Sequence, residues 1–77
     1  MEAEQWGRKI RAFRKLKGYT QESLADEMEV SVSVIGEIER GNRVPTRKIL
    51  TQISKILKVS VEELTPEEAR QTLNKRR

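Results

Sequence analysis

Arg40, Arg43 and Arg47 fall three and four residues apart around the segment GNRVP, and guanidinium groups gathered on a loop are suited to neutralising phosphate. Such a loop either holds a polyanion or carries only solvated charge, and the residue types alone leave both readings open. Nucleophilic chemistry has far less to work with. Ser31 and Ser33 have no histidine to act as their base, since the chain contains none, and it has no glycine-rich phosphate loop. Cysteine is also absent, which excludes disulfides and thiolate metal ligands. Neither enzymatic activity nor a cofactor or metal is expected, and both serines are read as helix-capping residues.

The elements that must carry these arginines belong to a chain of 77 residues, enough for one small domain with a single core. No run approaches the roughly 18 apolar residues of a membrane span. The opening MEAEQWG is acidic and polar where a secretory leader is basic and then apolar, so a cytoplasmic protein is expected. The net charge is +4, but its order is more informative than its sum. Positions 8–17 hold six bases and no acid, positions 20–39 six acids and no base, and positions 40–58 six bases and no acid. A basic balance of this kind fits a polyanionic partner such as nucleic acid.

Hydrophobic periodicity predicts an all-α fold of five helices. Trp6, Ile10, Phe13 and Leu16 give one apolar face to a helix over about residues 4–17, stopped by Gly18. Thr20 caps a second helix over 21–28 whose Leu24, Ala25 and Met28 point inward, with Glu22 favoured in its first turn. The run VSVSV alternates like a strand, yet Val30, Val34, Ile35 and Ile38 also share a helix face, and a lone strand has no pairing partner. Ser31 is therefore read as the N-cap of a third helix over 32–40, stopped by Gly41. Its outward residues are Val32, Ser33, Gly36 and Glu37. Thr46 caps a fourth helix with Ile49, Leu50, Ile53, Ile56 and Leu57 on its apolar face, and Ser60 with Glu63 forms a capping box for a short fifth helix ending near Leu64. Thr65, Pro66 and Glu68 signal a short, polar sixth helix to about Leu73, followed by the basic tail NKRR.

Two short helices meeting at Glu29 have the outline of a helix-turn-helix. The segment RAFRKLKGYTQESLADEMEVSVSVIGEIERGNRVPT resembles the Cro and phage-repressor type of helix-turn-helix regulators, the Xre family. The resemblance spans residues 10–64, with the helix-turn-helix unit at 21–40 and a polar helix and basic tail at 65–77. It rests on Arg14 before the glycine, on Thr20 and Gln21, on Leu24 and Ala25, on Ile35, on IERG at 38–41, on Pro45 and on the closing VSVEEL. It implies a compact repressor-like DNA-binding domain. By the same resemblance Gln21 contacts a DNA phosphate from the start of the second helix, and Arg40, Asn42 and Arg43 hold the backbone. Val32, Ser33, Gly36 and Glu37 face base edges in the major groove. Arg14 and Glu39 form a structural ion pair between the first and third helices.

The sequence departs from the family pattern in three respects. Glu29 stands where the turn usually has glycine, at a cost of about 1 kcal/mol if the backbone there is left-handed. Arg47 replaces an apolar residue and is expected to point outward, adding to the phosphate-binding loop. The base-facing positions lack the forked side chains matched to guanine or adenine, leaving Val for a thymine methyl, Ser for either role, and Glu to accept from cytosine.

The expected function is a sequence-specific DNA-binding transcription regulator, a repressor, acting as a homodimer on a pseudo-palindromic operator at the nucleoid. Leu64 and residues 66–77 are the candidate dimer interface, with a free polar tail as the other reading. The alternative function is a protein-interaction module on the same fold, an antirepressor or partner-binding regulator. The acidic and apolar outer face over 32–37 motivates it.

Overall fold

The computed structural model describes residues 2–67, and among them it contains five α-helices and no strand. They are α1 Glu2–Leu16, α2 Gln21–Met28, α3 Val32–Glu39, α4 Arg47–Leu57 and α5 Val61–Leu64. The sixth helix and basic tail lie, from Glu68 onward, outside the described residues.

Each boundary has a local cause. The hydroxyls of Thr20, Ser31, Thr46 and Ser60 accept from backbone N–H groups in the first turns of α2, α3, α4 and α5. Thr20 shares a reciprocal capping box with Ser23, and Ser60 one with Glu63. The VSVSV alternation is thus the cap and first turn of α3. Gly18 and Gly41 both adopt φ +83°, closing α1 and α3 in left-handed turns.

Glu29 also takes the left-handed region, at φ 59° and ψ 41°. The turn keeps its glycine-type geometry with a glutamate in it. Val30 N–H donates to Ala25 O and Glu29 N–H to Asp26 O, a Schellman closure that holds the strained residue in place. Lys58 does the same at the end of α4, with φ 58°.

Ile10, Leu24, Ile35, Ile38, Ile53, Leu57 and Leu64 are fully buried and draw all five helices around one core. α1 packs against α3 and α5, α2 against α3 and α4, and α4 against α5. Gln52 Nε2 donates to Met28 O at 3.3 Å, which ties α4 to the helix-turn-helix turn.

Two expectations about the core need correction. Leu16, placed on the inner face of α1, is 74% exposed. At about 100° per residue it lies well off the stripe made by Trp6, Gly7, Ile10 and Arg14, and Arg14 takes the inward place in the last turn. Leu64, a candidate for a dimer interface, is 0% exposed in its own protomer. Its side chain completes the core and is not available to a partner.

Candidate nucleic-acid interface

The core fixes α3 through a polar knot at its C-terminal end. Arg14 Nε donates to Glu39 Oε2 at 2.6 Å, Arg14 Nη2 to Glu39 Oε1 at 3.0 Å, and Arg14 Nη1 to Tyr19 O at 2.9 Å. The two side chains are only 8% and 3% exposed. Glu39 Oε1 also accepts from Gln21 Nε2 at 3.0 Å. Gln21 therefore sits at the start of α2 with one amide N–H bound inward and the other still available to a ligand. Burial, followed by the neighbouring Glu27 carboxylate, holds the pKa of the Tyr19 phenol above its ordinary value.

On α3, Val32 and Ser33 are exposed, Val32 by 40%. Gly36 is not. A Cβ built on Gly36 would lie 3.1 Å from Arg40 Nη1 and 3.8 Å from Arg40 Cζ, so the Arg40 guanidinium folds back a full turn and covers this residue. The expectation that Gly36 itself presents a surface is corrected: it provides space, and Arg40 occupies it. Glu37 is half-buried and forms an ion pair, its Oε1 2.7 Å from Arg43 Nη2. The carboxylate on the outer face of α3 is thus neutralised by an arginine from the loop.

The first N–H groups of the loop are not free for phosphate: Gly41 N–H donates to Ile38 O at 3.1 Å and Asn42 N–H to Glu37 O at 2.8 Å. These bonds satisfy the last carbonyls of α3, which would otherwise be left without donors. The Asn42 and Arg43 residues remain exposed, as does Arg47 in the first turn of α4, beside the buried Pro45. Gln21, Asn42, Arg43 and Arg47 thus come from three different elements: the start of α2, the loop after α3 and the first turn of α4.

Sequence reasoning missed how the first residues of α1 brace this site. A Cβ on Gly7 would lie 2.4 Å from Ile38 O and 2.7 Å from Glu39 O, so only glycine permits α1 to cross the end of α3 this closely. A Cβ on Gly41 would lie 2.8 Å from Glu4 Cγ, which places the N-terminal turn of α1 against the cap of α3. The signal was present as an isolated glycine inside a helical pattern, a common mark of close packing.

Comparison with known proteins agrees with this geometry. The helix-turn-helix family HTH_3 matches residues 10–64. YazB of Bacillus subtilis (strain 168), described as an uncharacterised HTH-type transcriptional regulator, is 59% identical over 68 residues, covering 88% of this chain and 99% of that protein. The HTH-type transcriptional regulator SinR of the same organism is 37% identical over 62 residues, covering 79% of this chain and 56% of SinR, so the chain spans little more than half of that relative. Among solved structures, the restriction-modification controller protein C.AhdI of Aeromonas hydrophila superposes with a TM-score of 0.76 at 29% identity, covering 80% of this chain and 94% of that one. The DNA-binding domain of BldD from S. venezulae gives a TM-score of 0.74 at 31% identity, covering 84% of this chain and 97% of that one. A capped α2, a left-handed turn at Glu29 and an exposed face on α3, found in a chain whose residues 10–64 match this family, identify a member of the HTH_3 helix-turn-helix family of the Xre or Cro/C1 type, a DNA-binding transcription regulator.

Proposed function

We propose that the chain is a sequence-specific repressor that binds a pseudo-palindromic operator as a homodimer, with α3 of each protomer in the major groove. The observation that supports this reading is that Val32 and Ser33 are exposed on α3, while Gln21 bonds to Glu39 and Arg43 pairs with Glu37 on the same helix. A helix of this width enters the major groove while flanking donors meet the phosphates on both sides. Gln21, Asn42, Arg43 and Arg47 would supply phosphate contacts, and Val32, Ser33 and Glu37 base contacts. Glu37 keeps an acceptor for cytosine N4 while Arg43 offsets its charge beside the backbone. Homodimerisation follows from the need for two reading heads to reach useful specificity, with half-sites about one helical turn apart. Action on DNA in the cytoplasm accords with the lack, among the described residues, of a helix long and apolar enough to cross a membrane.

The alternative, a protein-interaction module, is motivated by the acidic and apolar outer face over 32–37; the acid of that face is paired with Arg43, which leaves exposed Val32 as its motive. Selection from a pool of random duplex DNA tests the proposal. A two-fold consensus is expected, and recovery of unrelated sequences bound only at low salt would overturn it.

A further inference from the structure

We propose that Arg40 is a specificity-determining residue that reads a guanine in each half-site, and that Gly36 is the device that aims it. The inference rests on the proposed reading of DNA by α3. By position in the chain Arg40 caps α3, with αR backbone at φ −83° and ψ −5°, where a phosphate contact is the simple expectation. Its side chain lies elsewhere, with Nη1 3.1 Å from the point where a Gly36 Cβ would be.

That point belongs to the outward stripe of α3. At about 100° per residue, Val32, Gly36 and Arg40 differ by about 40° at each step, and Ser33 falls about 20° beyond Arg40. The guanidinium therefore lies along the middle of the face that Val32 and Ser33 begin. A Cβ at position 36 would make the guanidinium give by a few tenths of an ångström, and a longer side chain would compete with it for the slot.

The charge of Arg40 is also available. Arg14 is bound by Glu39 and Arg43 by Glu37, whereas the Arg40 guanidinium has no ion pair or side-chain hydrogen bond among the described residues. Both carboxylates of α3 are engaged, Glu37 by Arg43 and Glu39 by Arg14, so neither draws Arg40 off the face. An unpaired guanidinium on a groove-facing stripe matches the N7 and O6 acceptors of guanine, which accept two parallel N–H bonds from one arginine. The forked donor absent from positions 32, 33, 36 and 37 is thus supplied from position 40.

The test is selection from random duplexes with the full chain, performed in parallel on the wild type, Arg40→Lys and Gly36→Leu, with helicity and thermal melting recorded for each. The wild-type consensus is expected to contain a guanine in each half-site. Arg40→Lys is expected to lose about tenfold or more of the discrimination at that position alone and to keep the rest of the consensus. Gly36→Leu, with Arg40 intact, is expected to lose the same position, which separates the slot from the charge. Should Arg40→Lys retain the full consensus and weaken all sequences equally, Arg40 is a phosphate contact and the inference is overturned while the regulator reading stands. Should the wild type select no consensus, both are overturned.

Discussion

Gln21 and Glu39 are joined across the helix-turn-helix, with Gln21 Nε2 donating to Glu39 Oε1 at 3.0 Å, the same oxygen that accepts from Arg14 Nη2. The first residue of α2 and the last of α3 are thereby held to one buried arginine of α1. The candidate phosphate contact at Gln21 and the orientation of α3 share a single support.

Removing the acid from this knot leaves Arg14 charged and buried. Glu39→Ala is expected to destabilise the fold by about 3–5 kcal/mol in urea unfolding. Replacing both partners by apolar residues, as in Arg14→Met with Glu39→Leu, is expected to recover most of that loss, because no isolated charge remains. An independent pair of effects that simply add would contradict the coupling.

Gly7 has backbone rather than a flexible side chain in front of it. Gly7→Ala is expected to cost about 1–3 kcal/mol by overpacking, despite the higher helix propensity of alanine. Since the contact is to the carbonyls of Ile38 and Glu39, chemical shifts at the end of α3 should move as well. A variant as stable as the parent would show that α1 and α3 separate without cost.

The left-handed glutamate in the turn gives a prediction of opposite sign. Glu29→Gly relieves the Cβ strain of φ 59° and is expected to raise stability by up to about 1 kcal/mol, after the entropy glycine loses on folding. Thermal melts of Glu29→Gly and Lys58→Gly should both shift upward. A downward shift at Glu29 would mean that its side chain contributes more than its backbone costs.

Arg43 and Arg47 are not equivalent in this account, because only Arg43 screens a carboxylate. Arg47→Ala is expected to lower DNA affinity across sequences and reduce the salt slope by about one. Arg43→Ala removes a phosphate partner and also uncovers Glu37, so the loss should be larger, and adding Glu37→Gln should restore part of it. The pair itself is half-exposed and is expected to contribute less than about 1 kcal/mol to folding. Equal losses for Arg43→Ala with and without Glu37→Gln would exclude the screening role.

The helices were legible because their signals are local. Each of Thr20, Ser31, Thr46 and Ser60 caps within three residues of itself, and the apolar spacings of α2, α3 and α4 fix one inward face each. Leu16 misled because spacings of three and four fit several neighbouring faces over so short a run, and only packing shows that Arg14 holds the inward place. The site was less legible. That Arg40 folds over Gly36, that Arg43 pairs with Glu37, and that the loop N–H groups close α3 all depend on side-chain and cap geometry one turn away. A list of residue types shows a recognition helix with no forked donor. In the folded chain position 40 places one there.

The most direct test is the ratio of affinities for the selected operator and for a scrambled duplex of equal length, measured by fluorescence anisotropy at one physiological salt concentration. The account predicts a ratio of about 10³ or more, with a stoichiometry of two chains per operator. A ratio near one, with binding to both duplexes lost alike as salt rises, would contradict it.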